Sequence, residues 1–354
     1  MPLTPKFIIT NKINKALIEI ERVRGFLDAV KLKDDWIAEM QERALILETH
    51  YSTHIEGTEI NLAQAQDVLS GKKVAGINPD DKKELTNYKK AMNFIAKYLG
   101  KEDPITQGLI RELHKMIVQG ARGDNAQAGS YRQIQNYVAN SKTLDIIYTP
   151  PQSLEVPHLM RELTDWINKA VYDLSPILVA AITQFQFVHI HPFLDGNGRT
   201  ARLLSTLILY KTGYDFKRLF TISEYYDQDR QAYYNAIQSV RENEMDMTSW
   251  LEYFAEGLRL QMQGIQEKGK KIIKSDNFLY DLKKLGLNER QLKGIKYIIQ
   301  NGKITPSEYR KINDCIHRTA QRDLEDLAKR KIIKTKAESL TDPTKYYILM
   351  NAQL

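Results

Sequence analysis

Cysteine is almost absent: Cys315 is the only one in 354 residues. A single thiol excludes an internal disulfide and a zinc site built mainly from cysteines, and it fits a reducing, cytoplasmic setting. Long hydrophobic runs are missing too. The longest are broken by Gln, Thr, His or Lys, well short of the ~18 apolar residues that a membrane span needs. The first twenty residues lack a basic segment followed by an apolar stretch, so no signal peptide is expected. Internal repeats are also missing. What remains is a chain with 42% hydrophobic residues, enough to exclude disorder by composition and to fill the cores of two or three domains.

Charge is unevenly spread. The formal net charge is +7; residues Glu256–Leu354 hold 21 Lys and Arg against 12 Asp and Glu, and the other 255 residues hold 30 against 32. The basic character therefore belongs to the C-terminal end. Two partners for it are weighed equally on charge alone: nucleic acid, or water at a solvated surface.

Apolar periodicity predicts a mainly α chain. Helices are expected over Lys6–Asp28, Trp36–Ser52, Asp80–Leu99, Thr106–Val118, Leu154–Ala170, Asn197–Lys211, Gln228–Arg241 and Thr248–Gly264, with a short one from Asn61 to Leu69. Ser175-Pro176 opens a further, strongly apolar helix. Its run of Ile177, Leu178, Ala180, Ile182, Phe185 and Phe187 reads as core packing. Between Gly129 and Pro151, Tyr, Ile and Val flank a polar turn at Asn140–Lys142, which predicts a short β-hairpin. Beyond a charged linker, three helices (Asn288–Asn301, Thr305–Ile312, Ile316–Lys329) precede two β-like runs joined by a turn at Asp342-Pro343. That order predicts a winged helix-turn-helix.

The informative stretch is His191-Pro-Phe193-Leu-Asp195-Gly196-Asn197-Gly198-Arg199-Thr-Ala-Arg202. Two glycines at the mouth of a helix leave backbone N–H groups uncovered, and a helix N-terminus adds partial positive charge. That combination binds anions, phosphate above all. Arg199 and Arg202, three apart, share a helix face and can fork onto phosphate oxygens. Asp195 is the hard oxygen ligand that Mg²⁺ takes beside phosphates. His191 can take a proton near neutral pH. These parts suit phosphoryl-type transfer, which depends on positioning and charge neutralisation. His189 and His191 also form a His-x-His pair, but no third nitrogen or sulfur ligand lies at suggestive spacing; His189 reads as structural, near a helix end that favours a cation.

The string matches the Fic family motif, H-x-F-x-[D/E]-G-N-G-R-x-x-R, at every defined position. The resemblance implies a Fic-type helical core with a hairpin flap, and an enzyme that moves AMP from ATP to a Ser, Thr or Tyr hydroxyl of a protein target, including itself. It implies His191 as general base, Asp195 as the Mg²⁺ ligand, Gly196, Asn197 and Gly198 as the anion hole, Arg199 on the β/γ phosphates, Arg202 on the γ-phosphate, and Phe193 as the loop's anchor. The same resemblance puts Tyr233 and Tyr234 beside the adenine, with aromatic packing as the competing reading. It makes Asn136, Tyr137, Val138 and Ala139 a target-binding flap that acts by strand addition. Because the motif reads phosphates and not the base, CTP, UTP or a phosphocholine carrier stay open as donors.

Ser52-Thr-His-Ile-Glu56-Gly57 is similar to the family's inhibitory motif, [S/T]-x-x-x-E-[G/N]. Glu56 is expected to pair with Arg202, removing the γ-phosphate clamp; the competing reading is a plain helix end capped by Gly57. The expected organisation is an N-terminal helical region (1–100, inhibitory helix at about 40–57), a catalytic core (101–265), a linker (266–285) and a winged-helix module (286–354). In that module, Thr319–Leu327 resembles the T-x-x-R-D-L-x-x-L recognition helix of winged-helix regulators, flanked by Arg318, Arg322, Lys329, Arg330 and Lys331. DNA is the partner this suggests; Asp323, Glu325 and Asp326 count against it, and a protein-contact or dimerisation module is the rival. Alternatives for the whole chain are a DNA-binding regulator whose core senses nucleotide, and an enzyme that removes AMP. Many Fic proteins pair, so a homodimer is a further expectation.

Overall fold

A computed structural model describes residues 3–98, 102–121, 127–139, 143, 145–337 and 345–350. The expected turns at Asn140–Lys142 and Asp342-Pro343 lie outside these. Two compact units divide the chain, residues 1–265 and 266–354.

In the first unit, α1 (Asn11–Ala29) buries Ile13, Ala16, Ile20, Val23 and Leu27. It starts five residues later than its periodicity suggested. Thr10 caps it by accepting the Ile13 N–H, and Lys6 instead pairs as an isolated parallel bridge with Asp246. α2 (Asp34–Ile55) runs beyond its expected end at Ser52. Its last turns bury a polar face, Glu48, Thr49, His50, Ser52 and Thr53, which an apolar pattern cannot find. α3 (Leu62–Leu69) opens on a capping box between Asn61 and Gln64. α4 (Pro79–Ile95) and α5 (Gln107–Val118) follow, with Asn78 and Thr106 as their caps.

The hairpin is smaller than its apolar run. β1 (Val138–Ala139) pairs antiparallel with β2 (Ile146–Tyr148) across an irregular register. α6 (Val156–Asp173) packs on α7 (Pro176–Ile190), which is the core's centre: residues Ile177 to Phe187 are buried on every side. α8 (Asn197–Lys211) lies against α7 and is buried from Thr200 to Tyr210. A short α9 (Ile222–Gln228), which the sequence reading lacked, precedes α10 (Arg230–Glu242). α11 spans Thr248–Lys284, so the segment expected as a linker is helical almost to its end.

The second unit packs α12 (Glu289–Asn301), α13 (Pro306–Asn313) and α14 (His317–Lys329) with a hairpin of β3 (Ile333–Lys336) and β4 (Tyr346–Leu349). Its own core holds Leu282, Ile295, Ile298, Tyr309, Leu324, Leu327 and Tyr347. Ile304 ties the hairpin to the helices through a bridge to Tyr347.

Candidate active site

The loop between α7 and α8 carries the motif, and its shape is fixed from several sides. His191 ends α7 with a left-handed backbone (φ 51°), uncommon for a residue with a Cβ. Gly196 repeats that conformation (φ 74°), and a side chain there would press on Val118 and His114. Between them, Asn197 bonds both backbone groups of Phe193: it accepts the N–H at 3.0 Å and donates to the carbonyl at 2.8 Å. Phe193 is fully buried and stacks flat on His114, ring centroids 3.6 Å apart. The His114 Nδ1 accepts from the Gly129 N–H, so its Nε2 carries the proton and donates to the Asp195 carbonyl at 2.9 Å. Phe193 lies buried beneath the loop, bonded through both of its backbone groups. The Asn197 side chain is spent on the loop, which leaves only its backbone N–H toward an anion.

Arg132 adds a second tether. Its guanidinium, 2% exposed, donates to the carbonyls of His191, Ile134 and Pro151, joining the motif loop to both ends of the hairpin. Asn136 donates to the Phe193 carbonyl at 2.9 Å. The flap residues Asn136–Ala139 are thus held against the loop through Asn136, while Ile134, Tyr137, Ile146 and Ile147 stay exposed.

His191 is held in its neutral form. Burial pushes its pKa down to about 4, against the smaller opposing pull of the Val188 carbonyl and of Glu56. Its Nδ1 lies 3.2 Å from the Val188 carbonyl, which makes Nδ1 the protonated nitrogen and leaves the Nε2 lone pair to accept. His189, pushed to about 4 by burial, bonds the Tyr148 hydroxyl at 2.8 Å through Nδ1. It is a neutral structural residue, and the helix-end cation once expected there does not form.

Both arginines of α8 are buried and both meet carboxylates. Arg199, 2% exposed, donates to Glu84 at 2.7 Å and lies 3.5 Å from Asp195. Its Nε is buried with no partner. Arg202, 1% exposed, donates from Nε to the Ser52 hydroxyl and from one terminal nitrogen to the Ser52 carbonyl and the Glu56 carboxylate, each at 2.8 Å. Burial alone would raise the Glu56 carboxyl, but Arg202, with Arg199 behind it, more than reverses this and holds it below the ordinary range. The same carboxylate lies so close over Gly198 that any Cβ there would collide with it. Glu56 caps α2 at the spot where α8 offers its first N–H groups. The Asp195 side chain is 46% exposed, and its Oδ1 accepts the Gly196 N–H.

Tyr233 and Tyr234 part company. Tyr233 is 2% exposed, stacks on Tyr226 at 4.3 Å and touches Arg202 and Gln184 with its hydroxyl. It supports the arginine from below and offers no ring face to a base, so the packing reading wins for it. Tyr234 is 46% exposed, with its hydroxyl 3.4 Å from the Ile55 carbonyl, beside Glu56.

Four residues escaped the sequence reading: Glu84, His114, Arg132 and Glu48, the last buried and bonded to Ser223 and Tyr88. Glu84, His114 and Arg132 sit far along the chain from the motif they touch, Glu48 lies one helical turn before Ser52, and none has a local signature. Among the described residues, no group of three or more His, Cys, Asp and Glu side chains is placed to hold a metal ion, and no helix is long and apolar enough to cross a membrane.

Comparison with known proteins agrees with this geometry. Residues 104–209 match the Fic/DOC family. The chain is 29% identical over 252 residues to a protein adenylyltransferase Fic of Culex quinquefasciatus and 30% identical over 244 residues to its namesake in Drosophila virilis. These alignments cover 70% and 68% of this chain and 47% of each relative, so the chain spans about half the length of the curated relatives it matches. A Fic family protein from Desulfovibrio desulfuricans superposes with a TM-score of 0.66 at 22% identity, covering 98% of both chains, and so shares the fold.

Proposed function

We propose that this Fic-domain protein transfers AMP from ATP to a hydroxyl of a protein target, and that Glu56 restrains it. The observation that carries the reading is the convergence of a neutral His191, the N-terminus of α8 and the two buried arginines of that helix at one loop. Relatives named as protein adenylyltransferases support the reaction class.

In this reading the target's hydroxyl oxygen attacks the α-phosphorus and its proton passes to the His191 Nε2. The bond from the α-phosphorus to the bridging oxygen breaks, and pyrophosphate leaves. Anion binding falls to the N–H groups of Asn197, Gly198 and Arg199 at the mouth of α8. Arg199 and Arg202 neutralise the outer phosphates, exchanging Glu84 and Glu56 for phosphate oxygens in whole or part. The half-exposed carboxylate of Asp195 suits a hard divalent cation: one carboxylate plus phosphate oxygens and water is how Mg²⁺ is commonly held. When bound, Mg²⁺ would neutralise charge building on the leaving pyrophosphate. The short open strand β1 would align a target segment by backbone pairing, with the exposed apolar side chains of the hairpin beside it.

Glu56 opposes all of this at one place. It occupies Arg202, covers Gly198 and sets negative charge where phosphate must lie. Glu56→Gly protein given Mg²⁺ and ATP should gain the mass of AMP on itself or an added target, and His191→Ala in that background should not. No transfer by Glu56→Gly with nucleotide demonstrably bound would reject the reading in favour of AMP removal or another donor.

A further inference from the structure

The second unit holds a helix-turn-helix whose exposed face the proposed chemistry does not use. α13 and α14 are joined through Asp314, which takes a left-handed conformation (φ 44°), and α14 buries Ala320, Asp323, Leu324 and Leu327. Of the acidic residues that weigh against nucleic acid in the sequence, Asp323 is turned inward and Asp326 is held in an ion pair. Asp323 is 3% exposed, accepts from Arg290 at 2.8 Å and takes the Tyr309 hydroxyl at 3.2 Å. Asp326 accepts from Gln291 at 2.8 Å and pairs with Arg330 at 3.0 Å. Asp326 keeps 39% exposure beside Arg330, and Glu325 stays on the outer face, where it accepts from Gln321.

Outward, α14 presents Arg318, Gln321 and Arg322 at spacings of three and four, hence on one stripe; the Arg322 side chain is 73% exposed. Arginine and glutamine are the side chains that fork onto guanine and adenine edges in the major groove. Arg310 and Lys311 on α13 and Lys334 and Lys336 on β3 are exposed as well. Residues 266–354 carry 20 Lys and Arg against 11 Asp and Glu, so the unit complements a polyanion.

We propose that this unit binds double-stranded DNA, with α14 in the major groove reading purines through Arg318, Gln321 and Arg322, and with the lysines of β3 on phosphates. In such a motif the second helix reads bases while the first crosses the backbone. The surface belongs to the second unit, and its test is independent of AMP transfer.

The full chain should be used to select from a pool of random duplexes, and its affinity for the selected and scrambled duplexes then measured by fluorescence anisotropy across a salt series. A selected site containing purine steps should bind tighter than its scramble. Arg318→Ala and Arg322→Ala should each weaken the selected site by about five-fold or more and flatten its preference over the scramble. Lys334→Ala should weaken both duplexes alike and reduce the salt slope by about one. Unchanged melting curves would show that these exposed changes leave the fold intact. Absence of binding at low salt overturns the proposal. So does binding without sequence preference, or a preference that survives both arginine changes; a protein partner for this face would then be the better lead.

Discussion

At the scale of single residues, the site is a set of buried charges, each answered by another. Arg202 is the clearest case. It is 1% exposed, yet three hydrogen bonds to Ser52 and Glu56 satisfy it. Removing a partner from a buried pair is costly because the remaining charge is left in a poor solvent. Arg199 depends on Glu84 in the same way, its second acid lying farther off at 3.5 Å. Glu84→Ala should therefore destabilise the first unit by roughly 3 kcal/mol, seen as a melting temperature about 10 °C lower. A change within a degree would contradict the account of Arg199. Glu56 differs because its side chain keeps 29% exposure and caps a helix end, so it can leave without opening the core.

At the scale of elements, α7 and α8 form a rigid frame and the loop between them is tied to its surroundings by His114, Arg132 and Asn136. Arg132 bonds four separate backbone carbonyls, those of His191, Ile134, Pro151 and Ile190, which a lysine cannot reproduce. In the Glu56→Gly background, Arg132→Lys should lower the rate of AMP transfer by about 10- to 100-fold while nucleotide affinity changes little, since misplacing the base by ~1 Å suffices. An unchanged rate would show that the tether is dispensable. The helices were legible in the sequence where one face is apolar, as in α1, α5 and α6. The motif was legible because its chemistry is packed into twelve consecutive residues. What periodicity could not show was the polar inner face of α2, where Glu48, Ser52 and Thr53 are buried for their partners and not for hydrophobicity. α9 was missed because seven residues give too few turns for a pattern. Glu84 and Arg132 reach the site only through tertiary contacts, and no local spacing announces them.

For the whole molecule, buried neutral histidines make stability depend on acid. Burial pushes His50, His114, His189 and His191 each down to about 4. Between about pH 6.5 and pH 4 the unfolded chain binds protons that the folded chain refuses, so stability falls as pH drops through that window, by up to about 1.4 kcal/mol per pH unit for each histidine. Histidine-labelled protein observed by NMR should show four of the seven imidazoles still neutral at pH 5.5. Ordinary titration near pH 6.5 in all seven would contradict the burial described for them. The central claim, that Glu56 restrains an AMP transferase built on His191, spans the first unit from α2 to α8. Its most direct test is the intact mass of wild-type, Glu56→Gly and Glu56→Gly/His191→Ala protein after incubation with Mg²⁺ and ATP. The account predicts an AMP adduct that forms about 100-fold faster in Glu56→Gly than in wild type and vanishes in the double variant. Equal adduct in wild type and Glu56→Gly, or an adduct that survives His191→Ala, would contradict it.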